Sequence, residues 1–108
     1  MSLHYTHEKL DAAIQTLATN PDKIQSRLYG AWLQMQTLRT ETHNLTQSMQ
    51  DKFATIEKRL TLTTISEKEG NVQASIGNMT NEEASEIAKD ILSLYREVFS
   101  VYEGDGYH

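Results

Sequence analysis

The run Thr80-Asn81-Glu82-Glu83, followed by a long helical repeat of apolar residues, does most to narrow what this chain can become. Thr80 and Glu83 have the spacing of a capping box, in which each side chain satisfies the other's backbone N–H. Glu82 and Glu83 also bring negative charge to the positive end of the helix dipole. Ala84, Ile87, Ala88, Ile91, Leu94, Tyr95 and Val98 then build a broad apolar face, which predicts a helix to about residue 102. Leu92, Phe99 and Val101 add apolar side chains around the rest of its circumference, more than one partner helix inside a small domain covers. Surface of that kind marks association, and symmetric self-assembly is its common use, so a homo-oligomer is expected.

The rest of the chain reads as helix too. One proline and five glycines in 108 residues leave little punctuation for an all-β chain. Leu10, Ile14 and Leu17 predict a first helix over 4–18, with Thr6 or Ser2 as its cap. Asn20 is the expected cap of a second helix, Pro21 its first residue, and Ile24, Leu28, Ala31, Met35 and Leu38 its apolar face to about residue 39. Trp32 lies one position off that stripe and should border the core. Gly30 either marks a close helix crossing or is tolerated at roughly 1 kcal/mol against alanine. After a polar link over 40–43, Asn44 should cap a third helix carrying Leu45, Met49, Phe53, Ile56 and Leu60. The β-branched run over 61–65 should fray it, and 66–70 reads as a charged turn. Val72, Ile76 and Met79 suggest a short helix within 71–79. The expected fold is all-α: a compact bundle of about four helices plus one short helix, with 1–103 a single domain and 104–108 a flexible tail.

Composition excludes several function classes. Without cysteine there is no disulfide, thiolate nucleophile or thiolate metal site. No apolar run approaches the ~18 residues of a membrane span, so no membrane partner and a cytoplasmic location are expected. Residues 80–108 hold seven acids against Lys89 and Arg96 alone, which accounts for the whole net charge of −5. A chain so charged does not suit duplex nucleic acid, which needs a basic surface. His4 and His7 stand three apart but lack a third ligand at metal-site spacing, so no metal is expected. Neither a nucleophile elbow nor a phosphate-binding glycine loop occurs, and the Glu67–Glu69 and Glu82–Glu83 pairs suit a solvated turn and a helix start. No catalysis and no cofactor are expected.

Binding is what remains. Lys23 and Arg27, with Ser26 beside them, sit in the opening turns of the second helix, where cations oppose the dipole unless something negative is near. A helix start, two bases and a hydroxyl make a phosphate cradle; the plain alternative is a solvated face carrying two bases. Tyr5 could stack on a base, worth ~1–3 kcal/mol, or simply pack on its own helix. Asn71, Gln73 and Ser75 open the short helix with small or amide side chains that would face solvent or a ligand.

Two passages together carry a resemblance. They are Leu17-Ala18 followed by Ile24-Gln25-Ser26-Arg27-Leu28-Tyr29-Gly30-Ala31, and Gly70-Asn71-Val72-Gln73-Ala74-Ser75-Ile76-Gly77-Asn78-Met79-Thr80 leading to Ala84, Ile87-Ala88, Ile91-Leu92 and Leu94-Tyr95. In this order, over roughly residues 10–96, the chain resembles small helical phage proteins that act as anti-CBASS sponges, sequestering cyclic oligonucleotide signals of bacterial immunity. The resemblance implies a compact helical homohexamer without catalysis. It also implies pockets between protomers where cyclic dinucleotides lie against an aromatic and a lysine, matched here by Tyr5 and Lys23, and further surfaces for cyclic trinucleotides. Gln73 stands where the family's Gly-x-Val-x-Ala-Thr/Ser stretch has an arginine. The competing expectation is a helical homo-oligomeric protein-interaction module that uses the apolar and acidic C-terminal helix.

Overall fold

The computed structural model describes residues 3–61 and 72–106. Helices α1 (His4–Thr19), α2 (Ile24–Met35), α3 (Gln47–Leu60), α4 (Val72–Gly77) and α5 (Asn81–Gly106) follow in order, with a 3-10 segment, Gln36–Asn44, between α2 and α3. No strand occurs among the described residues. Four longer helices and one short one thus make the expected all-α architecture. Ser2, the turn over 66–70, most of the run over 61–65 and the chain's last two residues lie outside the described residues.

Helix α5 is the spine. Its 26 residues span about 39 Å, most of the molecule's 47 Å long axis. The capping box forms as expected: the Thr80 N–H donates to Glu83 Oε1 at 2.9 Å, and the Glu83 N–H donates to Thr80 Oγ1 at 3.0 Å. The helix runs past residue 102 to Gly106, since no proline interrupts its backbone ladder. On one side α1 packs antiparallel, with His7 stacked on Tyr102 (centroids 4.5 Å apart) and near Phe99 and Tyr95. Farther along, the Tyr95 hydroxyl donates to Asp11 Oδ1 at 3.4 Å; burial first, and then the Asp11 charge, raise the Tyr95 pKa. On the other side α3 packs antiparallel, tied by Lys52–Glu97 at 2.8 Å and Arg59–Asp90 at 2.6 Å.

Helices α1 and α2 form a tight hairpin. A Cβ on Gly30 would lie 3.0 Å from Thr16 Cγ2, so this glycine serves the close crossing. The core joins Leu10, Ala13, Leu28, Met35, Met49, Phe53, Ile56, Leu60, Ile76, Ile91 and Leu94, all buried. Trp32 belongs to that core at 2% exposure rather than bordering it, and its ring stacks on Phe53 at 5.9 Å.

Caps are where the sequence reading needs correction. Asn20 does not cap α2: its Oδ1 accepts from the Asp22 N–H at 2.8 Å, an Asx turn that holds Pro21 outside the helix and leaves Lys23 at the N-cap. Asn44 does not cap α3, because its amide donates to Glu41 and Thr46 Oγ1 accepts from the Met49 N–H instead. Nor does Thr6 cap α1; it is buried within that helix, behind Leu3 at the N-cap. The second α-helix stops at Met35, four residues short of expectation, and the polar link becomes 3-10 helix.

Candidate functional site

Tyr5 and Lys23, the aromatic and the lysine of the expected pocket, do not come together within one chain. Tyr5 and Lys23 flank opposite ends of α1, which is about 24 Å long at 16 residues. Tyr5 is 37% exposed; its hydroxyl donates to Thr37 Oγ1 at 2.9 Å, and Lys9 Nζ lies 5.5 Å from its ring centroid. Lys23 and Ser26 are exposed at the start of α2, and that helix has no side-chain cap.

Arg27 behaves differently from the expected anion ligand. Its Nη1 donates to the Leu17 carbonyl at 2.8 Å and its Nε to the Asp22 carbonyl at 2.9 Å. The guanidinium therefore closes the C-terminal end of α1, where helix carbonyls lack partners and a cation is favoured. Being also one turn into α2, it joins the hairpin by its own backbone.

In the short helix the three expected residues separate. Ser75 is fully buried beside Ile76. Asn71 lies outside the described residues. Gln73 is exposed and lines a cleft of about 400 Å³ with Tyr29, Trp32, Leu33, Gln36, Arg39, Thr61 and Val72. That volume falls within the range of small-molecule sites, about 300–1,000 Å³.

The cleft is assembled by periodicity. Tyr29, Trp32, Gln36 and Arg39 are spaced three, four and three, so α2 sets the first pair on one face. Beyond Met35 the chain is 3-10, in which residues three apart eclipse one another, and Gln36 and Arg39 continue the same side. The Arg39 guanidinium lies 5.3 Å from the Trp32 ring centroid, and its Nε donates to Glu57 Oε2. Glu57 engages only one of the five guanidinium N–H groups, so others remain to meet an anion. Two amides, Gln36 and Gln73, offer both donors and acceptors beside aromatic surface. Such a lining can meet an anion through the guanidinium and hydrogen-bond a polar ligand through the amides.

None of Tyr29, Trp32, Gln36 and Arg39 stands out from sequence as a ligand contact, although their shared spacing is a signal that could have found them. Among the described residues no group of three His, Asp or Glu side chains could hold a metal. No helix among them is long and apolar enough to cross a membrane. What fold and cleft define is an all-helical protein with an aromatic, amide-lined surface site. No family model, curated protein or solved structure matches the chain.

Proposed function

We propose that this protein captures cyclic di- or trinucleotides without chemically altering them, acting as an anti-CBASS sponge that withholds an immune signal from its effector. The observation that carries the reading is the cleft that Gln73, the glutamine standing where the family has an arginine, lines together with Tyr29 and with Arg39 on Trp32. Arginine supplies charge-assisted contacts to phosphate, and the tyrosine and amides suit a nucleobase face and edge. Tyr5, Lys23 and Ser26 enter as a second contact surface. With Tyr5 and Lys23 at opposite ends of α1, one pocket using both needs two protomers, which agrees with assembly into a homo-oligomer.

Titration calorimetry with a panel of cyclic di- and trinucleotides is the direct test. Binding heat at micromolar protein in low salt is expected, with the ligand recovered unchanged after the complex is denatured. A silent panel ends the reading; a cleaved ligand makes the protein an enzyme instead.

A further inference from the structure

Three of the four arginines are engaged inside the fold: Arg27 by backbone carbonyls, Arg39 by Glu57 and Arg59 by Asp90. Arg96 has no partner among the described residues. It lines a groove of about 600 Å³ between α3 and α5, with Lys52, Lys89, Leu92, Ser93 and Glu97.

Positions 89, 92, 96 and 99 share one face of α5. The two bases of residues 80–108 therefore alternate with Leu92 and Phe99, which are 41% and 39% exposed. Three acids of the same helix are engaged, while Glu82 and Glu103 stand one heptad before Lys89 and one heptad after Arg96. Glu83 closes the capping box and Asp90 holds Arg59. Glu97 holds Lys52, whose hydrogen bond lowers the Glu97 pKa. Only Glu86 reaches Lys89, at 3.5 Å between largely exposed side chains, a contact of little strength. Next to the groove, and sharing Lys89 and Leu92 with it, is an apolar recess lined by Ile14, Leu17, Ala18 and Ala88. On a chain of net charge −5, the lining of this groove sets Lys52, Lys89 and Arg96 against Glu97 alone, beside the exposed Leu92.

Charge decides what fits it. Two copies paired antiparallel about Leu92 would set Lys89 of one near Arg96 of the other, opposing like charges. A phosphate backbone, charged along its whole length, would leave the exposed Leu92 and Phe99 uncovered, whereas a helix with one apolar face can bury them. We propose that the groove docks an acidic amphipathic helix of a protein partner, its apolar residues seated beside Leu92 and its carboxylates facing Lys89 and Arg96. Helix-in-groove recognition reads such anchors at helical spacing. The surface shares no residue with the Gln73 cleft, so the inference stands apart from nucleotide capture.

The probe is a fluorescein-labelled synthetic peptide of about 15 residues, long enough to form helix on docking, with leucines at helical spacing flanked by glutamates. Its twin carries lysines in place of the glutamates. Fluorescence anisotropy should show the glutamate peptide binding at least about tenfold more tightly than the twin, with added salt weakening it. Arg96→Glu, an exposed change that should leave the circular dichroism spectrum intact, should weaken the glutamate peptide by about tenfold or more. Failure of the glutamate peptide to bind, equal binding of both peptides, or indifference to Arg96→Glu overturns the proposal. So does a sedimentation shift between wild type and Leu92→Asp, which would make a second copy the occupant. Displacement of the peptide by a single-stranded oligonucleotide overturns it in favour of nucleic acid.

Discussion

Arg27 and Arg39 start from similar credentials: each is an arginine on or just beyond α2, near a helix end. The fold gives them opposite tasks. Arg27 turns back along the hairpin and donates to the carbonyls of Leu17 and Asp22, so its charge completes α1 and the turn after it. Arg39 lies over Trp32 at the mouth of a cleft, with Glu57 holding one edge of the guanidinium. A cation near a helix start therefore does not announce an anion site until the end of the preceding helix has been accounted for. Here the carbonyl end of α1 needs the charge first.

The largest effect tests what Arg39 rests on. Trp32 is both platform for the guanidinium and part of the core against Phe53. Trp32→Ala should cost about 3–5 kcal/mol, read as a fall in the urea midpoint, because a large buried ring leaves a cavity its neighbours only partly fill. A loss below about 1 kcal/mol would mean that the cleft floor is not core, and the contrast with Arg27 would lose its basis.

Next in size is Arg27→Ala. Two charge-assisted hydrogen bonds are removed and helix carbonyls lose their partner, so stability should drop by about 1.5–3 kcal/mol, toward the lower figure because the side chain is only half-buried. Nucleotide affinity should stay within about twofold once the protein is folded, since both hydrogen bonds are internal to the hairpin. An intact denaturation midpoint together with abolished binding would return Arg27 to the ligand site.

How these assignments relate to the sequence follows from where the information sits. The capping box and the period of α5 were legible because Thr80, Glu83 and the apolar stripe act within one helix. The apolar spacing that marked α4 was local in the same way, whereas the fate of its Gln73 and Ser75 depended on which face α2 covered. The two expected caps go elsewhere for different reasons: Asn20 accepts from the Asp22 N–H in an Asx turn and leaves α2 without a side-chain cap, whereas Thr46 caps α3 in place of Asn44. Trp32 looked marginal because a single-helix stripe does not reveal that α3 delivers Phe53 to its far side. The cleft residues were the hardest, since Gln73 meets Arg39 only after α4 folds onto α2, across more than thirty positions of chain. The hydrogen bond of Arg27 to Leu17 was hidden for the same reason, because Leu17 lies on another helix.

Arg39→Ala has the smallest expected effect on stability and separates the two regions most sharply. Its ion pair with Glu57 is half-exposed, and such pairs contribute at most about 1 kcal/mol. The contact with the Trp32 face adds roughly 0.5–1 kcal/mol at an exposed site, and the methyl side chain left behind creates no buried cavity. The total change should stay near 1 kcal/mol, a shift of a few degrees in melting temperature for a chain of this size. Binding should respond the other way. A guanidinium–phosphate contact of about 1.5–3 kcal/mol corresponds to a loss of roughly 10–150-fold in cyclic-nucleotide affinity by calorimetry. Arg39→Lys should recover only part of it, because an ammonium lacks the planar fork that can lie on Trp32 and donate at the same time. Set beside Arg27→Ala, this predicts a crossed pattern, with stability lost at one arginine and affinity at the other. Parallel losses at both would mean that binding follows overall folding, and the cleft would have no claim of its own.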